Sequence, residues 1–481
     1  MNVVFIFADQ HNPQFCGCYG GMTRTPNIDS ISSDGVRFEN AYTNSPLCVP
    51  SRASMFTSRY VHEIAAWDNC FPYNGKVPGW GSYLRDNGVL LTTIGKLDFK
   101  ANTDHGIEDE RLIHDRDSFD VVGLFREPPA VPRKLYHMKN NWEIRPREPG
   151  TIIEHEVKVA DEAVNWLLNE RPEDRQWVLN INFSKPHSPW TPRKDLLDYY
   201  MEKINNLGEK YKQDYDGLHE VDKAQSVHTC GYVFDNECVK LSHAAYHATI
   251  EEHDENVGKV LETLEALGIR DEVLIVYSSD HGEMARAHGA WEKISLYEDS
   301  IRVPMIISGP GVPKNKVIKA PVSLIDVFPT INEALGNEPA VFSRGKSLLT
   351  LAKTGNDAER PDYVFSESHA NGRIAASYTI RKDDWKLIEY VGYEPLLFNL
   401  KDDPDEMNNL GDTRKHDPLV EKKLEELRKI LYSVCSPEGV DLQARYDQNC
   451  LKEELASTGR LQKELAKRGF QPSTEKLIPM D

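Results

Sequence analysis

Four short apolar runs each lead into residues equipped for chemistry. Val3 to Ala8 leads into Asp9-Gln10-His11, Val89 to Ile94 into Gly95-Lys96-Leu97-Asp98, Trp177 to Phe183 into Lys185-Pro186-His187, and Val273 to Tyr277 into Asp280-His281-Gly282. Asp9 and Asp280, with Gln10 and His281 beside them, form a hard, oxygen-rich donor set that suits Ca²⁺ or Mg²⁺ better than a thiophilic metal.

A fifth segment, Ser45 to Arg59, contains Cys48-Val49-Pro50-Ser51-Arg52. Pro50 favours an extended approach and the Ser-Arg-Ala-Ser-Met run after it favours a helix. Cys48 is thereby expected near a helix N-terminus, where backbone N–H groups attract anions. Arg52 adds a planar cation. A phosphocysteine mechanism would want its arginine six positions after the cysteine, where this chain has Ser54.

Positioning these groups is the task of the elements around them. The four runs, with Val303 to Ser308, read as buried parallel strands. Helical patterns lie between them at Pro26 to Asp34, with Thr25 as N-cap, at Ile152 to Leu168, and at Ser242 to Leu267 before Gly268. The alternation predicts a layered α/β domain over residues 1–360, with its ligand crevice beyond the carboxyl ends of the strands. From Tyr363 the texture changes. Ala375 to Arg381 and Trp385 to Tyr390, joined at Lys382-Asp383-Asp384, read as an antiparallel sheet. The helix Pro418 to Val434 and a charged helical tail, Leu442 to Arg468, complete a smaller α+β subdomain over 361–481. The tail either packs on its own domain or serves a homo-oligomer contact.

Composition narrows the partners. The 57 Lys and Arg against 76 Asp and Glu leave a formal charge of -19, which argues against nucleic acid or an anionic membrane surface and requires a local cation cluster for any anionic substrate. No basic leader precedes the first strand and no run of about 18 apolar residues occurs, so a cytoplasmic protein without a membrane span is expected. The 8 cysteines in 481 residues are no disulfide scaffold, and none shows CxxC spacing.

Cys48-Val49-Pro50-Ser51-Arg52 resembles the modification signature of the sulfatases. Further landmarks follow in order: Asp9, Gly95-Lys96, Pro186-His187, Asp280-His281-Gly282, then Lys293 ahead of Tyr297-Glu298 and Arg302-Val303-Pro304. The resemblance implies an alkaline-phosphatase-like fold: a large, mainly parallel sheet sandwiched by helices. It also implies that Cys48 is oxidised to Cα-formylglycine by a formylglycine-generating or anaerobic sulfatase-maturating enzyme. On the same ground Asp9, Gln10, Asp280 and His281 would hold Ca²⁺ or Mg²⁺, Lys96 and Lys293 would contact sulfate, Arg52 would orient the hydrated aldehyde, and His187 would protonate the departing alcohol.

Within the family, Ala41-Tyr42-Thr43-Asn44-Ser45-Pro46, Gly95-Lys96-Leu97-Asp98, Ala163-Val164-Asn165-Trp166-Leu167 and Tyr277 to Glu283 are most similar to the glucuronate-2-sulfatase subgroup. The implied substrate is the 2-O-sulfate of a uronic acid in a short saccharide. Three positions depart from the wider family. Asp98 stands where most members have His, and His105 is the candidate for that histidine's work. Gln10 stands where many have Asp, and Ser58 where Gly is usual. Arg193, Lys194, Arg286 and His288 are candidates for a sugar carboxylate, and Trp190 and Trp291 for stacking on a sugar ring, with plain core as the other reading of both tryptophans. The rival readings are an arylsulfatase of other specificity, a phosphonate monoester or phosphodiester hydrolase, and an inactive member acting as a binding protein.

Overall fold

The computed structural model describes residues 1–116, 120–127, 144–213, 217–229, 236–369 and 372–468. In chain order its strands are β1 (Asn2–Asp9), β2 (Gly35–Phe38), β3 (Ala41–Tyr42), β4 (Leu90–Lys100), β5 (Asp109–Arg116), β6 (Trp177–Pro186), β7 (Val273–Ser279), β8 (Met305–Ser308), β9 (Lys316–Ile318) and β10 (Val322–Ser323). A later group comprises β11 (Tyr363–Ser368), β12 (Ser377–Lys382), β13 (Trp385–Tyr390) and β14 (Leu396–Asn399).

The large sheet has the order β5-β4-β6-β1-β7-β8-β2-β9. Side chains alternate across β1: Val3, Phe5 and Phe7 join a core with Phe328 and Ile331, while Val4, Ile6 and Ala8 join one with Trp166 and Val257. Both faces are thus covered by helices, which is why β1 reads as an unbroken apolar run. Strands β4, β6, β1 and β7 are parallel neighbours, so the four polar strand ends emerge side by side.

The run Val303 to Ser308 departs from expectation, because β8 pairs antiparallel with β7, Ile275 opposite Ser308. An apolar β-branched run marks a buried strand, but nothing in it encodes direction. The helix α1 (Pro26–Ser33) begins at the expected proline. Thr25, however, does not cap it: its hydroxyl donates to Asp29 Oδ1 at 2.9 Å and accepts from Gly17 N at 2.9 Å.

The helices Glu154–Asn169 and Asn236–Ala266 flank the sheet. The C-terminal strands form an antiparallel meander, β11-β12-β13-β14. Its β12–β13 hairpin turns at Asp383, which takes a φ of 52°. The helix Pro418–Val434 buries Val420, Leu427 and Leu431 against Phe365, Ile380 and Leu387. The charged tail is two helices, Pro437–Ser457 and Arg460–Arg468. They pack on the chain itself: Leu455 and Leu461 meet Val121, Leu124 and Phe125, and Asp441 pairs with Arg126 at 2.9 Å. Among the described residues no helix is long and apolar enough to cross a membrane.

Candidate active site

Strand β3 delivers the chain toward the helix α2 (Cys48–Thr57), whose first residue is Cys48. Leu47 precedes it in an extended conformation, φ -152° and ψ 138°, and the helix begins two residues before Pro50 rather than after it; a proline is tolerated there because the first-turn N–H groups have no intrahelical partner. Cys48 and Arg52, four residues apart, share one helix face. That face meets the ends of β1 and β7. Ser58 ends the helix in the left-handed region, φ 52°, which explains why glycine suits this position. Its hydroxyl binds the Ile325 carbonyl at 2.6 Å.

Arg52 is 2 % exposed and organises the centre. Its Nε donates to Asp280 Oδ2 at 3.0 Å, Nη2 to Asp9 Oδ2 at 3.3 Å, and Nη1 to the Lys96 carbonyl at 2.7 Å. Lys96 Nζ also bonds Asp9 Oδ2 and lies 3.2 Å from Asp98 Oδ2. The cations thus hold the Oδ2 atoms of both aspartates. The opposite oxygens face His281, whose Nε2 lies 3.5 Å from Asp280 Oδ1, 3.8 Å from Asp9 Oδ1 and 3.3 Å from Cys48 Sγ. Gly95, ahead of Lys96, has a φ of 92°, and a Cβ there would stand 2.1 Å from the Asn182 carbonyl oxygen. Only glycine fits that approach.

A divalent cation fits this donor set. One ligand atom from each of Asp9, Cys48, Asp280 and His281 lies within 4.8 Å of the others, and all four residues are buried. His281 Nδ1 donates to the Gly282 carbonyl at 3.0 Å, so in the neutral ring the Nε2 lone pair points into the cluster. Burial and the nearby Asp9 raise Asp280 above the usual carboxylate range. Burial also acts to raise Asp9, but Lys96, His187, Arg52 and His281 outweigh it and hold Asp9 well below that range. A cation between two such carboxylates relieves their repulsion.

The field at residue 48 is positive. Burial and Asp9 push the Cys48 thiol up, yet Lys293, Lys96 and His281 outweigh them and hold it well below the usual thiol range. An anion seated there meets the same field. Lys293 Nζ lies 2.6 Å from His187 Nε2 and donates to Gln10 Oε1 at 2.7 Å. Burial acts to lower Lys293, but Cys48, Glu292 and Asp9 raise it above its ordinary value.

The structure therefore brings Asp9, Cys48, Arg52, Lys96, Asp98, His187, Asp280, His281 and Lys293 together. Gln10 joins them differently than expected. Its carboxamide oxygen is taken by Lys293, and its backbone N–H, rather than its side chain, bonds Asp280 Oδ1 at 3.1 Å.

Other expectations need correction. His105 is bonded to Thr103 Oγ1 at 2.8 Å, the Lys100 carbonyl at 3.0 Å and Glu110 at 3.3 Å, and packs on Tyr73 and Phe99. Both ring nitrogens are engaged away from the centre, because β4 runs on to Lys100 and carries the chain past it. Trp190 is 1 % exposed, donates to the Pro186 carbonyl at 2.9 Å and packs on Tyr246 and Trp291. Both tryptophans are core, and neither offers a face to a sugar. Arg286, 8 % exposed, donates to the Gln213 carbonyl at 3.3 Å. Arg193 pairs with Glu255 at 2.8 Å and Lys194 with Asp198 at 2.5 Å, while His288 stacks on Tyr297 with ring centroids 3.8 Å apart. His11 faces Tyr277 and His253 instead of the cluster.

Two further residues were missed in the sequence. Asn182, in β6, sits 3.5 Å from Arg52 Nη1. A buried amide inside an apolar strand was its signal. Glu283, two residues after His281 and without a local signal of its own, is fully buried and accepts from the Gln10 carboxamide.

Comparison with known proteins agrees with this geometry. The sulfatase family model matches residues 1–337, and the C-terminal model of N-sulphoglucosamine sulphohydrolase matches residues 286–432. Arylsulfatase K of Homo sapiens is 29% identical over 433 residues, covering 85% of this chain and 78% of the relative. The choline-sulfatase of Rhizobium meliloti (strain 1021) is 30% identical over 464 residues, covering 93% and 89%. The fold is shared with a protein solved in complex with its substrate D-glucosamine-2-N,6-O-disulfate, TM-score 0.73 at 23% identity over 93% of this chain and 98% of that one. It is shared too with the phosphonate monoester hydrolase of Agrobacterium radiobacter, TM-score 0.70 at 20% identity over 90% and 96%. This chain belongs to the sulfatase family, the hydrolases of sulfuric esters.

Proposed function

We propose that the protein removes the 2-O-sulfate of a uronic acid from short glycosaminoglycan-derived saccharides. Residue 48, oxidised and hydrated, is the nucleophile, and Asp9, Asp280 and His281 hold Ca²⁺ or Mg²⁺ beside it. The observation that carries the proposal is the meeting of Cys48 Sγ with His281 Nε2 at 3.3 Å, inside a ring of buried cations. A thiol or a single hydroxyl would trap sulfate as a slow ester. A geminal diol attacks sulfur with one hydroxyl and expels sulfate through the other. The cation, when bound, supplies Lewis-acid polarisation of the sulfuryl oxygens.

The chain's own residues do the rest. Arg52 fixes both carboxylates through separate nitrogens and so fixes the site against α2. Lys96 and Lys293 supply preorganised charge to the sulfuryl oxygens, each worth about 3–4 kcal/mol of barrier by analogy with an oxyanion-hole donor. His187 Nδ1 is 2.6 Å from the Ser188 carbonyl, which can only accept, so the ring carries its proton there. Nε2 is left paired with the Lys293 ammonium, and the pair holds one excess proton for the departing alkoxide. That proton matters more for a sugar alcohol than for a phenol. The formal charge of -19 repels long sulfated polymers and favours fragments.

The substrate assignment rests on the likeness to the glucuronate-2-sulfatase subgroup, including Asp98 beside Lys96. It is tested by parallel turnover, with formylglycine-converted protein, of a 2-O-sulfated uronate disaccharide, an aryl sulfate, choline sulfate and an aryl phosphonate monoester. The disaccharide should have the highest kcat/KM. Preference for choline sulfate would move the substrate to a small cationic alcohol, and preference for the phosphonate would move the chemistry to the related hydrolases.

A further inference from the structure

Glu283 lies in the loop after β7, outside the proposed catalytic set. Its Oε1 accepts from the backbone N–H groups of Ala285 at 2.8 Å and Glu292 at 2.9 Å. Its Oε2 accepts from Gln10 Nε2. An acceptor on that side dictates which way the carboxamide lies, with the NH₂ toward Glu283 and the oxygen toward Lys293. Gln10 Oε1 then accepts from Lys293 Nζ at 2.7 Å, and the same ammonium reaches His187 Nε2 at 2.6 Å. The far side of His187 is fixed on the Ser188 carbonyl. Each contact in the series pairs a donor with an acceptor. The Lys293 ammonium can only donate, so it fixes the same orientation of the carboxamide from the other side.

We propose that Glu283 is a positioning residue that, through the Gln10 carboxamide, holds the Lys293 ammonium against His187 Nε2. Its effect on turnover rests on the sulfatase reading of Lys293 and His187, but its effect on geometry does not. The reading also gives Gln10 a task that an aspartate at that position would not perform, because a carboxylate has no N–H to offer Glu283.

The test is Glu283→Gln, which preserves shape. The new amide keeps its oxygen on the two backbone N–H groups and turns its NH₂ to Gln10, which must then present its own NH₂ to Lys293. A crystal structure of the variant should show Lys293 Nζ withdrawn from His187 Nε2 beyond hydrogen-bond reach. In the metal-loaded, formylglycine-converted enzyme kcat should fall roughly 10- to 100-fold, the range for loss of one charge-assisted contact, at unchanged metal content and with KM moving less. Adding Gln10→Glu to Glu283→Gln restores an acceptor to both neighbours, and should return Lys293 to His187 and recover most of the lost kcat. The proposal is overturned if Lys293 keeps its place in Glu283→Gln, if kcat stays within about twofold of the parent, or if the double variant is no better than the single one. Should the parent hydrolyse no sulfate ester, the functional reading falls, while the crystallographic contact still decides the positioning role.

Discussion

Replacing Arg52 with methionine keeps most of the side-chain volume and removes the cation that the two aspartates share. Four hydrogen bonds disappear, to Asp280 Oδ2 at 3.0 Å, Asp9 Oδ2 at 3.3 Å, the Lys96 carbonyl at 2.7 Å and Asn182 Oδ1 at 3.5 Å. Lys96 still compensates Asp9, but Asp280, already raised by burial and by Asp9, loses its direct partner. Breaking a buried pair on one side costs about 3–5 kcal/mol. Unfolding entropy is about 2.1 cal/mol/K per residue, so a chain of 481 residues melting as one unit loses about 3–5 °C in Tm. Calcium should do more for the variant than for the parent. One cationic charge removed from about 5 Å away from a divalent ion, at an effective dielectric of about 20, strengthens cation binding by about 7 kcal/mol. Differential scanning calorimetry in chelator and in saturating CaCl₂ reads both effects, and sulfate release should drop roughly 10²- to 10³-fold. Equal melting temperatures in chelator, or a smaller calcium-induced gain in the variant than in the parent, would refute the shared-cation account.

Two more expectations are simpler to check. His105→Gln should leave kcat/KM within about twofold of the parent, measured on whichever sulfate ester turns over best, since both ring nitrogens of His105 are committed elsewhere. A loss of several orders of magnitude would restore it to the catalytic set. The Glu367 carboxylate lies between His62 Nδ1 and His369 Nε2, both at 2.9 Å. Burial opposes its ionisation, but the two histidines pull it down to about 2 from 4.5. The folded chain therefore binds fewer protons there than the unfolded one, so this stabilisation is complete above pH 4.5 and drains as pH falls toward 2, by about 3 kcal/mol in all. Glu367→Gln should lower the urea midpoint at pH 7 and flatten its decline between about pH 5 and 3, whereas a parallel decline in both proteins would contradict the assignment.

Much of the site was legible because parallel strands buried on both faces announce themselves as apolar runs, and their polar ends can be read off directly. Asp9, Lys96, His187 and Asp280 were found this way, and the order β4-β6-β1-β7 gathers them. Lys293 carries no such signal. It lies in an irregular loop in which Glu292 and Ile294 have positive φ values of 64° and 91°, and only the family likeness pointed to it. Burial was the hardest property to read. Trp190 and Arg286 stand close in sequence to segments of the candidate site, and residue type alone cannot say whether such side chains face a cleft or the core. His105 failed because β4 continues past the polar residues at its expected end. The direction of β8 failed because pairing partners, not composition, decide whether a strand runs parallel. The Glu283 contact with Gln10 joins residues 273 positions apart, a long-range pairing that no local pattern announces.

A divalent cation held between Asp9 and Asp280 is the centre of the proposed chemistry. Crystals grown with CaCl₂, or with MnCl₂ for a stronger anomalous signal, should show one peak at about 2.3–2.6 Å for calcium from the inner oxygens of Asp9 and Asp280, beside His281 and residue 48. A peak confined to the Cys16, Cys18 and Asp29 cluster, or no peak at the strand ends while the enzyme still releases sulfate, would contradict it.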